Sequence, residues 1–102
     1  MGAIAYTVVA TLPDQQTASE YIAWLLDGHI AAVVRGGAQS GEVVRLLEPP
    51  KPIQVEARYR FASREAFDRY VSEEAPKLRA EGLSKFPPER GIRFDRRLGE
   101  VV

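Results

Sequence analysis

Ile53-Gln54-Val55-Glu56-Ala57-Arg58-Tyr59-Arg60-Phe61 decides the fold. Apolar and polar residues alternate strictly along it, which is the pattern of a strand with one face on a core and the other turned away from it. Just upstream, Glu42–Glu48 reads as another strand, with Val43, Arg45 and Leu47 on one face and Val44 and Leu46 on the other. The Pro49-Pro50-Lys51-Pro52 connection between them is stiff and far too short for a crossover, so the pair is expected as an antiparallel hairpin.

Working downstream, the period changes from two to three and four. Ser63 is placed to cap a helix, with Glu65 in its first turn and Phe67, Tyr70, Val71, Ala75 and Leu78 as its inner stripe. Pro76 either kinks that helix or restarts it, and Gly82-Leu83 is the expected C-cap. After a Phe86-Pro87-Pro88 turn, residues 91–102 form a last strand with Ile92, Phe94 and Leu98 on one face.

Upstream, Ala3–Leu12 is a strand with Ile4, Tyr6, Val8, Ala10 and Leu12 on one face and Ala5, Thr7, Val9 and Thr11 on the other. Neither face carries charge, so cover is expected on both sides. Past Pro13, a helix capped by Asp14 or Thr17 carries Ala18, Ile22, Leu25, Leu26, His29 and Val33 on one stripe. Gly28 ends this helix at Asp27, with a short second helix over Ile30–Arg35, or is a weak spot in one long helix. The glycine-rich stretch 36–41 follows a helix and leads into a strand, the reverse of a phosphate loop, and reads as a turn.

The element order is β-α-β-β-α-β, the split βαβ of the ferredoxin-like α+β class: an antiparallel sheet with two helices on one face. Residues 1–102 are expected to form one such domain. The other sheet face would be bare in a monomer, and a domain of 102 residues buries only about two-thirds of its unfolded surface. A second copy of the chain is the expected cover, with Thr7, Val9, Arg58 and Arg60 as candidate interface residues.

Composition excludes several function classes. The chain has no cysteine, so disulfides, thiolate nucleophiles and zinc–thiolate or iron–sulfur sites are ruled out, and one histidine leaves no multi-histidine metal site within a chain. No cofactor is implied. Formal net charge is zero, so no global field recruits nucleic acid or an anionic membrane. Residues 1–50 hold two arginines against five acids, and the basic excess lies in the second half, where Arg90, Arg93, Arg96 and Arg97 could form an anion or RNA patch. No apolar run approaches the ~18 residues a membrane span needs. The start, Met1-Gly2-Ala3-Ile4-Ala5-Tyr6, lacks a basic n-region, and Tyr6 stands where myristoylation wants Ser or Thr, so a cytoplasmic location is expected. The serines have no nucleophile-elbow context.

The residues Trp24-Leu25-Leu26, His29-Ile30, Gly36-Gly37, Arg45-Leu46-Leu47-Glu48, Tyr59, Tyr70, Ala75-Pro76-Lys77-Leu78-Arg79, Phe86 and Arg97 together resemble DUF4286, a family of short bacterial proteins. The resemblance runs nearly end to end. One departure is Ala31, where kin often place proline after the His-Ile pair. The family is similar in outline to the dimeric α+β barrels, among them cofactor-independent monooxygenases, haem-handling enzymes, isomerases and binding proteins. The resemblance implies the fold and a homodimer, but no reaction.

His29 is the candidate catalytic residue. On a helical wheel it falls mid-stripe and faces the sheet, either as a general base or as a core histidine bonded to a backbone carbonyl, Tyr6 or Tyr59. Tyr6, Tyr59 and Leu25 are the candidate ligand-binding residues. Trp24 falls off the stripe and is expected on the surface, as a contact residue or as cover for a loop. Arg45 is expected to pair with Glu56. The leading expectation is a small homodimeric accessory or small-molecule-binding protein. The alternatives are a cofactor-independent oxygenase or isomerase with His29 as base, and an anion or RNA binder using the C-terminal arginines.

Overall fold

A computed structural model describes residues 2–102. Strands β1 (Ile4–Leu12), β2 (Ser40–Arg45), β3 (Ile53–Phe61) and β4 (Arg93–Glu100) form one sheet in the order β2-β3-β1-β4, every neighbouring pair antiparallel. Helix α1 (Gln15–Trp24) and the short α2 (Ile30–Arg35) follow β1; α3 (Arg64–Glu73) and α4 (Ala75–Lys85) follow β3. This is the ferredoxin-like arrangement, with the second helical segment divided in two. Pro76 explains the division. It sits in the first turn of α4, where its missing N–H costs no helical hydrogen bond.

Both helix starts are capped as the sequence implies: Thr17 N donates to Asp14 Oδ1 at 2.7 Å, and Ala66 N donates to the Ser63 hydroxyl at 3.1 Å. The core lies between helices and sheet. It takes Tyr6, Ala10 and Leu12 from β1, Val55, Ala57, Tyr59 and Phe61 from β3, and Phe67, Tyr70, Ala75 and Leu78 from α3 and α4.

Register sets what faces the other way. Across the sheet, Glu42, Arg58, Thr7 and Arg97 stand in one row, and Val44, Glu56, Val9 and Asp95 in the next. This face is ionic. Val9 is buried yet is no part of the core cluster, because long charged neighbours cover it. Among these, Arg58 Nε bonds Glu56 Oε1 at 2.8 Å.

Four expectations are corrected. Arg45 does not meet Glu56: it stands opposite Val55, on the helix side of the sheet, and donates to Gln15 Oε1 at 3.0 Å. Gly82 is no C-cap. It lies inside α4, which runs on to Lys85, with the Trp24 indole packed closely over it. Leu26 is 68% exposed, since the buried face of the helix runs through Thr17, Ala18, Tyr21 and Leu25 and leaves Leu26 outside it. Strands β2 and β4 are also shorter than read, and Ile92 is buried just ahead of β4 rather than within it.

Candidate functional site

The site begins with a fault in a helix. After Trp24 the helix breaks within Leu25–His29, where Asp27 (φ −93°, ψ 54°) and Gly28 (φ 109°) leave helical geometry and α2 starts anew at Ile30, one of the two arrangements the sequence allows. Only glycine adopts a φ near +109° at low cost. The break brings His29 back onto its own helix: the imidazole stacks on the Trp24 indole, ring centroids 4.2 Å apart and planes 25° from parallel.

Trp24 is therefore not a surface contact residue. Its indole is partly buried, stacks on Tyr21 as well, meets Phe86 edge-on, and lies over Gly82, where a Cβ would stand 3.3 Å from the ring. The buried face of this helix is Thr17, Ala18, Tyr21 and Leu25, turned toward Trp24 from the stripe centred on Ile22 that the sequence suggests, and Phe86 and α4 cover the indole from outside.

The Trp24–His29 stack walls a cavity of about 330 Å³ between helices and sheet. Tyr6 and Val8 of β1, Tyr59 of β3, Tyr70 of α3, Tyr21 of α1, Phe86, and Phe94 of β4 supply most of the lining. Tyr6 and Tyr59 thus stand where the sequence reading puts them, stacked on each other at 6.0 Å. Leu25 does not line the cavity; it is fully buried in the core one turn away. Behind the stack lies a more polar groove of about 330 Å³ that includes Asp27, Arg35, Lys77 and Glu81.

The polar atoms of the cavity are few and defined. His29 Nδ1 is buried without a hydrogen-bond partner among the described residues. Burial holds the imidazole pKa below its ordinary 6.5, with Glu81 opposing the shift, so at neutral pH the ring is an uncharged base. Burial also pushes the Tyr59 and Tyr21 hydroxyls well up and that of Tyr70 up to about 12, leaving all three as protonated donors. The Tyr6 oxygen accepts from Arg96 Nε at 3.1 Å and more weakly from Arg79 Nη2 at 3.4 Å. Both lone pairs are then engaged, and the Tyr6 O–H proton is free to donate into the cavity.

Arg79, Arg96, Tyr21 and Tyr70 are the site residues that the sequence reading missed. Arg96 had a legible signal: it shares the period-two face of Phe94 and Leu98, the inward face of the last strand. That alternation also disperses the C-terminal arginines. Arg93 and Arg97 go to the open sheet face, Arg96 to the cavity, and Arg90 pairs with Glu20 and covers the Phe86 ring.

The model of the domain of unknown function DUF4286 matches residues 3–101. The chain belongs to the DUF4286 family. No match is found among curated proteins. Among solved structures, the DUF4286 chain is similar to a dimeric ferredoxin-like protein from an uncultured marine organism (TM-score 0.76, 12% identity, 100% of this chain and 97% of the other). It is similar to SnoaB, a cofactor-independent oxygenase from Streptomyces nogalater (0.68, 15%, 99% and 94%). A Dabb family protein with a ferredoxin-like fold from Mesorhizobium loti is a third (0.66, 20%, 100% and 99%). At such identities the likeness shows the ferredoxin-like fold and no activity. No helix of the described residues is long and apolar enough to cross a membrane.

Proposed function

We propose that this DUF4286 chain is a small homodimeric binding protein that holds an aromatic small molecule in the cavity beside His29. One observation carries the reading. His29, an uncharged imidazole held flat on a tryptophan, lines a cavity whose other walls are mostly aromatic, with protonated tyrosines and Arg79 and Arg96 among them. A concave, mostly apolar site with a few converging polar groups is the ordinary form of a small-molecule site. The volume is at the lower end of small-molecule sites.

The test is a thermal-shift screen of phenols, aromatic carbonyl compounds and aromatic carboxylates, run on the wild type and on His29→Ala. The reading expects compounds that raise the wild-type melting temperature and lose that effect in the variant. A screen in which no compound acts, or in which every active compound acts equally on both, overturns it.

A second reading, a cofactor-independent oxygenase or isomerase, draws on the same imidazole: a neutral base beside protonated tyrosines is suited to taking a proton from a bound phenol or activated C–H. It requires turnover of a bound compound that His29→Gln abolishes while leaving binding in place.

The homodimer reading rests on the open sheet face. Arg58 and Arg97 stand in one row and Glu56 and Asp95 in the next. A two-fold axis running across the strands between these rows sets each copy's arginines against the other's acids, with Thr7 and Val9 at the centre and Arg60 at the rim. Several neighbours are described as dimeric. Sedimentation should give twice the 11.3 kDa chain mass at micromolar concentration. A cytoplasmic location belongs to the same proposal, and a chain without cysteine is compatible with it.

A further inference from the structure

We infer that the ligand is an aromatic anion, a flat ring system bearing a carboxylate, whose charge sits between Arg79 and Arg96. The inference rests on the cavity reading above and adds the chemical class of what fills it.

Two guanidinium groups from successive elements, α4 and β4, converge on the single oxygen of Tyr6, at the other end of the chain. Neither has an acidic partner: the ion pairs among the described residues are Arg58–Glu56, Arg64–Asp68, Arg90–Glu20 and Arg93–Asp95. Arg96 is also on the inward face of its strand, opposite Val8, and its charge is felt at the hydroxyls of Tyr21 and Tyr70 deeper in the cavity. Arg79 and Arg96 are both exposed, so they stand at the open side of the cavity as two cations bonded to a neutral hydroxyl. The acids felt nearby, Glu74 at Tyr70 and Glu81 at His29, pair with neither.

Each guanidinium carries five N–H donors and gives one to Tyr6, so further donors remain for a second acceptor. A carboxylate has two oxygens and can accept from both arginines at once, in the charge-assisted geometry that arginine favours. Most of the rest of the wall is aromatic, completed by Val8, Leu78 and Leu83, which suits a flat ring. Taking the ~30 Å³ share of a liquid water molecule as the volume of one heavy atom, the cavity of about 330 Å³ holds roughly 11 of them. That is a little less than 2-naphthoate, whose carboxylate would then stand at the open side, where Arg79 and Arg96 are exposed.

The experiment is isothermal titration with 2-naphthoate and with 2-naphthamide, which matches it in size and shape and lacks the charge. The carboxylate should bind roughly 10- to 100-fold more tightly, the range for one or two charge-assisted hydrogen bonds. Arg96→Gln and Arg79→Gln should each erode that preference, lowering the carboxylate's affinity more than the amide's. Arg64→Gln, on the far side of α3 and paired to Asp68, should leave both affinities unchanged. Equal affinity for the two probes in the wild type overturns the anion inference and leaves the cavity reading standing. Binding of neither probe overturns both. The wild-type comparison decides the matter even where an arginine variant folds poorly.

Discussion

Replacing Trp24 with alanine tests the site at its wall. The indole is partly buried against Tyr21, His29 and Phe86, with centroid separations of 6.1, 4.2 and 5.7 Å. Truncation of a fully buried tryptophan costs about 3–5 kcal/mol, and a partly buried one belongs at the low end of that range, about 3 kcal/mol. Each aromatic pair contributes about 0.5–1.5 kcal/mol beyond its area, so losing three leaves little room for a smaller figure. For a domain of this size, about 3 kcal/mol lowers the melting temperature by roughly 12–24 °C. A second effect follows from the same change. Trp24 separates the cavity from the groove behind it, so its removal joins the two and wets His29. The imidazole pKa, held down by burial, should rise toward its ordinary value. Circular dichroism melts give the first quantity and NMR titration of the lone histidine the second. A variant that melts within about 4 °C of the wild type, with its histidine titrating as before, would show that the stack is not the wall described.

Three further expectations follow from other parts of the fold. Gly28→Ala should cost about 1–2 kcal/mol in urea unfolding, all of it from backbone conformation, because a Cβ at that position meets nothing within 4 Å. Arg58→Glu should leave the fold of one copy nearly intact, since its exposed pair with Glu56 is worth only ~0–1 kcal/mol, yet it should weaken the dimer by more than about tenfold by facing acid with acid; unchanged sedimentation would argue against the proposed axis. Stability should fall as pH drops below 6.5: a buried histidine whose folded pKa lies under its unfolded value stabilises the fold above 6.5 and loses that contribution as pH falls through the folded pKa. In His29→Gln that part of the slope between pH 7 and 5 should vanish, and a slope unaltered by the change would assign the acid sensitivity elsewhere.

The architecture was legible because its signals are local and redundant. Strict alternation over Ile53–Phe61, a strand without charge on either face at Ala3–Leu12, and caps at Asp14 and Ser63 each point to one element, and their order admits few folds. The family resemblance pointed the same way, and the DUF4286 model matches residues 3–101.

The candidate site was legible only in part. Period two put Tyr6 and Tyr59 on the inner face, and the helical wheel kept His29 toward the sheet. Gly28 marked the break before the short helix Ile30–Arg35 as one of two readings, and the structure takes it. What misled was the stripe chosen for the first helix: the buried face runs through Thr17, Ala18, Tyr21 and Leu25, which leaves Leu26 outside and brings Trp24 to its edge. Arg79 and Arg96 escaped for a different reason. Charged residues on an amphipathic element read as solvated, and only the tertiary meeting of α4 with β4 brings the two to one oxygen.

The most direct measurement is the nitrogen NMR spectrum of the single imidazole at pH 7, recorded with and without 2-naphthoate. The account predicts the pattern of a neutral ring in the free protein, and movement of the imidazole resonances as the carboxylate fills the cavity beside it. A protonated imidazolium in the free protein, or a histidine whose resonances do not move on titration, contradicts it.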